Sequence, residues 1–172
     1  MTHRFGFIFV NSLFIPEGEP FQASMKSYAS AFQQLGGRQV SPENLNDPEP
    51  LVYFMTTGGT EQVLLDIREQ RRKFVQDEPV LVVAYPANNS LPASLEVLAR
   101  LQQEGARGQV LYLTNSSDST GLKKIQDVLT DHKIAAELKR ARIGLLGTPS
   151  DWLVASSPAA SVVKETWGPE VV

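Results

Sequence analysis

Three short clusters of small polar residues are the parts of this chain whose types and spacing could do chemistry. The first is Thr56-Thr57-Gly58-Gly59-Thr60. A glycine pair lets the backbone turn tightly and lets a ligand come close to it. The open amides of a helix that starts at Glu61, with the threonine hydroxyls, could hold an anion or a polar oxygen. A plain strand-to-helix turn with a threonine cap would use the same residues. The second is Asn88-Asn89-Ser90, followed by Leu91-Pro92. Its amide and hydroxyl groups suit sugar hydroxyls or phosphate. One helix cap needs only one such residue, so two adjacent asparagines exceed that requirement. The third is Gly147-Thr148-Pro149-Ser150-Asp151-Trp152. Here the Trp152 indole beside Ser150 could stack on a sugar ring, or could pack at a domain or subunit boundary, where tryptophan is enriched.

Other chemistry finds little support. The only histidines are His3 and His132, and cysteine is absent. Disulfides, thiol nucleophiles and zinc-cysteine sites are therefore excluded. No His/Asp/Glu set has metal-ligand spacing. A Ser-His-Asp triad has no candidate histidine near a glycine turn. Thr57 could act as a hydrolase nucleophile only beside a positioned base, and no motif supplies one. Glu61 and Asp66 suit a helix start, and Arg71-Arg72-Lys73 reads as a solvated helix end. No catalytic residue, metal ligand or cofactor is assigned within this chain.

The clusters follow buried-strand patterns. Arg4 to Val10, Leu51 to Met55 and Val80 to Tyr85 are apolar runs without polar alternation, as strands covered on both faces read. Val110 to Leu113 and Arg142 to Leu146 continue the series, and Arg38 to Val40 is a short second strand. Between them lie helical patterns over 21–35, 61–74, 91–104 and 121–141. The third carries a leucine stripe at Leu91, Leu95, Leu98 and Leu101. The last carries Leu122, Ile125, Val128, Leu129, Ala135 and Leu138. Strand and helix alternate almost throughout. The expected fold is α/β: a three-layer, doubly wound, mostly parallel sheet of flavodoxin-like order with five or six strands. Residues 1–158 are expected to form this domain, and 159–172 to begin a linker or strand into a following domain.

The whole chain has 172 residues, 42% hydrophobic and 20% charged, with a net charge of −3. That is enough to bury a core. The lack of a basic block argues against nucleic acid. No apolar run approaches membrane-helix length, and no signal-peptide pattern opens the chain. No membrane partner and a cytoplasmic location are the expectation.

Taken together, three segments resemble the N-terminal half of the L-fucose and L-arabinose isomerase-like family. They are Pro50 through Glu61, Ala84 through Ala93, and Arg142 through Val154. They match in order and spacing from about Leu51 onward. The resemblance implies an aldose–ketose isomerase lineage using a divalent metal, usually manganese. The family draws its metal ligands and catalytic acids from later domains that this sequence does not contain, so none can be carried over. The resemblance also implies that Thr57, Gly58, Gly59, Thr60, Asn88, Asn89, Ser90, Ser150 and Trp152 face a sugar cleft or a neighbouring subunit of a homo-oligomer. The alternative is a stand-alone module that binds a small polar ligand without chemistry.

Overall fold

A computed structural model describes residues 4–12, 18–150 and 152–172. By internal contacts the chain falls into two units, divided between Leu129 and Thr130.

The first unit is built on a five-stranded, all-parallel sheet. Its strands are β1 (Phe5–Val10), β2 (Gly37–Gln39), β3 (Leu51–Met55), β4 (Val80–Ala84) and β5 (Gly108–Tyr112), in the order β2-β1-β3-β4-β5. Between and after them run helices α1 (Glu19–Gln34), α2 (Glu61–Arg72), α3 (Ser90–Gln103) and α4 (Ser119–Arg140). This is the flavodoxin-like arrangement expected from the alternation of patterns. Every residue of β3 and β4 is buried, because both faces of these central strands are covered.

Alternate residues divide the core into two layers. Phe5, Phe7, Val52, Phe54, Leu81 and Val83 pack with Met25, Tyr28 and Phe32 of α1 and Ile125 and Leu129 of α4. Ile8, Val10, Tyr53, Met55, Val80 and Val82 pack with Leu64 and Ile67 of α2 and Ala93, Val97 and Leu101 of α3. The first layer is rich in aromatic edges: Phe7 meets Phe32 with ring centres 5.2 Å apart, and Phe32 meets Phe54 at 5.5 Å. Each such side chain removed from water contributes about 1.5–3 kcal/mol.

Of the leucine stripe expected of helix α3 only Leu101 is fully buried, and Leu91 and Leu98 are partly buried. Its inner face is Ser90, Ala93, Ser94, Val97 and Leu101, and Leu95 is exposed. Small residues let this helix approach β3 closely, with Ser94 Oγ 3.3 Å from Met55 Sδ. In α4 the apolar stripe is buried only at Ile125 and Leu129, while Leu138 is exposed.

Arg71 is also not the solvated residue expected. It is 2% exposed. Its Nε and Nη2 donate to the two Glu78 oxygens, each at 2.8 Å. Nη1 donates to Leu45 O (2.9 Å) and Asp47 O, and Nη2 to Glu49 O (2.6 Å). All five guanidinium N–H groups are thereby used, and the 45–49 connection is fixed at the amino edge of the sheet. Burial alone would lower the Arg71 pKa; its bonds to the Glu78 carboxylate and that group's charge outweigh this and hold the pKa above its ordinary value.

The second unit is a small β-α-β. Strand β6 (Arg142–Ile143) pairs in parallel with β7 (Glu170–Val171), and helix α5 (Ala160–Trp167) lies between them in sequence. The strand near Arg142 therefore joins a separate two-stranded sheet, not the main one. The final residues, expected as a linker or strand, form α5 as well as β7. Gly168 ends α5 at φ 97°, and a Cβ there would lie 2.9 Å from Lys139 Cα, so only glycine fits. Among the described residues of this unit only Pro169 is buried.

Candidate functional site

In a parallel sheet every strand releases its chain at the same edge. In the order β2-β1-β3-β4-β5 the chain leaves β1 first to one side and then to the other. Such a switch point opens a crevice at the carboxyl ends of β1 and β3. The loops after β1, β3 and β4 meet there.

The loops are tied to each other by specific bonds. Ser12 N–H donates to Thr57 Oγ1 at 3.2 Å. Thr56 Oγ1 lies 2.6 Å from Asn11 Oδ1 and 3.1 Å from Val10 O. Gly58 N–H donates to Asn88 O at 2.7 Å. A Cβ on Gly58 would sit 3.1 Å from Asn89 Cβ and 3.2 Å from Asn89 O, so the glycine permits this close approach of two turns.

The residues singled out from sequence divide by what their polar atoms already do. Ser90 is fully buried: its hydroxyl donates to Met55 O and accepts from Tyr85 N–H at 2.9 Å. Thr60 is 1% exposed and donates from Oγ1 to Thr57 O at 2.7 Å. Both therefore hold the scaffold, and neither hydroxyl is offered to a ligand. Thr57 is 2% exposed and its oxygen holds the Ser12 amide. Among the described residues no lysine, histidine or carboxylate is a hydrogen-bond partner of Thr57 Oγ1, and none there supplies the base a nucleophile needs. Gly59 (φ 75°), Asn88 (φ 58°) and Asn89 (φ 56°) are exposed in the left-handed region. Asn89 stands at the N-cap position of α3 without capping it through its side chain. Both asparagine amides thus project from a fixed, strained turn. Thr60 likewise makes no side-chain cap to α2, which leaves the first-turn amides of α2 without a capping side chain. Ser150 and Trp152 belong to the second unit; both are exposed, Trp152 by 78%.

The loop after β5 completes the edge. Asp118 accepts from Gly121 N–H (2.9 Å), Thr114 N–H (3.1 Å) and the Thr114 hydroxyl (2.9 Å). These bonds stabilise its charged form and hold its carboxyl below the usual aspartate value. On the α1 side, Tyr28 is raised to about 12, first by burial and then by Tyr85, Tyr112 and Asp118. It stays a neutral donor at physiological pH.

Sequence reading missed a recess at this edge. A groove of about 400 Å³ runs beside β1, lined by Phe9, Phe21, Met25 and Asn11 among others. Its residues come from α1, β1 and the 39–42 segment, which are far apart in sequence, so no local pattern marks it. A second recess of about 440 Å³ lies at the opposite, amino edge among Arg68, Arg72, Asp77 and Glu104. Its walls carry charges of both signs at helix carboxyl ends, where cations belong on dipole grounds alone. The carboxyl-edge groove is lined by apolar and polar side chains in similar measure.

Among the described residues no cluster of His, Asp and Glu is arranged to hold a metal ion, and no helix is long and apolar enough to cross a membrane. No protein-family model and no curated protein matches the chain.

Proposed function

We propose that this chain binds a small polyhydroxylated ligand, a sugar, at the carboxyl edge of its sheet. It does so as the N-terminal domain of an L-fucose/L-arabinose isomerase-like protein, and the chemistry is supplied by parts outside this sequence. The observation that carries the reading is the stitching of three loops at the switch point through Ser12–Thr57 and Gly58–Asn88. Those bonds fix the backbone and leave the Asn88 and Asn89 amides directed outward. Neutral carboxamides that both donate and accept suit hydroxyl groups better than they suit a bare charge. Exposed Trp152 and Trp167 in the second unit fit contacts to a neighbouring subunit, where aromatic residues are enriched.

Titration of the protein with L-fucose and L-arabinose, followed by amide chemical shifts, tests this. Asn88→Gly/Asn89→Gly removes both amides and keeps the left-handed backbone, which glycine adopts without strain. The expected result is saturable millimolar binding that the double variant weakens about tenfold, as two net hydrogen bonds of about 0.7 kcal/mol each would give. Absence of binding by the parent, or equal binding by the variant, removes the proposal.

A further inference from the structure

We propose that the recess at the amino edge of the sheet binds a small phosphate-type oxyanion, free or as the head of an ester. Its walls come from α2 and from the turns at 76–78 and 104–107, around a volume of about 440 Å³. A water-sized cleft of about 10 Å³ shares Arg68, Arg72, Asp77 and Glu78 with it and reaches Tyr53 of β3. Tyr53 is 2% exposed. Its hydroxyl has no hydrogen-bond partner among the described residues, yet no fully buried side-chain oxygen or nitrogen there lacks one. The accessible part of Tyr53 is therefore the hydroxyl itself, and it opens into that cleft. Burial pushes the Tyr53 pKa up, so near neutrality the group is an unused donor.

The ion pairs around the recess leave it with a surplus of donors. Among the described residues its lining holds the cations Arg68, Arg72, Lys73 and Arg107 against the carboxylates Glu69, Asp77, Glu78 and Glu104. Three of those carboxylates are already engaged: Glu69 by Arg72, Glu78 by Arg71 and Glu104 by Arg100. Arg71 and Arg100 lie outside the lining, so they add two positive charges to a set that otherwise cancels. The carboxyl ends of α2 and α3 carry roughly half a negative charge each and offset about one of the two. The dipole accounts for Arg72 and Lys73 at the end of α2. Arg68 precedes the last turn of that helix and Arg107 lies beyond α3, so both are additional to it. Among the described residues Arg68, Lys73 and Arg107 are in no ion pair, and Asp77 is the one carboxylate of the lining left without one. Two unpaired guanidinium forks and a buried hydroxyl, all donors, fit a tetrahedral oxyanion that accepts on several sides.

The full chain, isotopically labelled, is titrated with sodium phosphate and, at matched ionic strength, with sodium chloride. The expected result is saturable amide shifts at Arg68, Asp77, Gly105 and Arg107 with phosphate alone. Arg68→Gln should weaken binding about tenfold and Tyr53→Phe about fivefold, as one charged and one neutral hydrogen bond would give. Tyr53→Phe breaks no bond within the described residues, so its melting temperature should hold. Asp77→Asn, at a left-handed position that asparagine tolerates, should tighten binding about fivefold by removing the unpaired carboxylate. Glycerol phosphate binding as well as the free ion identifies an ester as the ligand, and binding of inorganic phosphate alone identifies the ion. Equal shifts with chloride, R68Q or Y53F binding like the parent, or Lys26→Gln on α1 weakening binding as much as R68Q would overturn the site. Each of those results leaves the sugar reading at the carboxyl edge standing.

Discussion

Ser90 and Asn89 are neighbours with opposite uses. The Ser90 hydroxyl bridges Met55 O and Tyr85 N–H across two strands, while the Asn89 amide is exposed. Ser90→Ala removes both of these bonds but leaves Tyr85 N–H donating to Met55 O at 3.0 Å, so denaturant unfolding should show a loss of only about 1 kcal/mol. Arg71 is the larger case. Arg71→Ala strands Glu78 and three loop carbonyls, and should cost about 3–5 kcal/mol in the same measurement. Arg71→Lys should recover little of it, because an ammonium cannot reproduce the two-pronged bond to Glu78. Tyr28 makes a prediction in alkali. Its folded pKa, about 12, lies above the ordinary 10, so its neutral form stabilises the fold fully below pH 10. That contribution is lost as pH rises from 10 towards 12. Tyr28→Phe should flatten the fall in melting temperature over that window. None of these roles was legible in sequence. The residue types suggested caps and solvated ends, and the partners that decide otherwise lie 5 to 35 residues away.

At the scale of elements, propensity and pattern placed the helices and the central strands well, because continuous apolar runs and terminal glycines are local signals. They failed on which helix face turns inward. The α3 leucines form a regular row, yet only Leu101 of it is fully buried; Ser90, Ala93 and Ser94 fill the rest of the inner face with Val97 and let the helix lie closer to β3. Helix α4 shows a cap that local sequence could have yielded: Asp118 three residues before Gly121, accepting that residue's N–H. The Asp118 carboxyl is depressed in the fold, so its contribution is present above the unfolded aspartate pKa of about 3.9. It is lost as pH falls through the folded value. Thermal melts of Asp118→Asn should lie below the parent near neutrality and converge with it in acid.

At the scale of the whole molecule, the alternation of patterns was enough to give the layered sheet, since few connections satisfy parallel pairing. The same reasoning extended one domain to residue 158, whereas the chain divides after Leu129. Arg142-Ile143 reads as any parallel strand does, and nothing local tells which sheet it will join. The second unit keeps Leu146, Trp152, Val154 and Trp167 largely exposed. The long 144–159 stretch contains no helix or strand among its described residues. Brief digestion with a broad-specificity protease should cut there well before any strand of the five-stranded sheet; initial cleavage within 51–112 would contradict this. Both tryptophans of the chain, Trp152 and Trp167, sit in this second unit. Intrinsic emission excited at the indole band is consequently a local reporter. A melt read that way tracks the folding of 130–172, and a tyrosine, backbone or newly placed indole signal watches the five-stranded sheet directly.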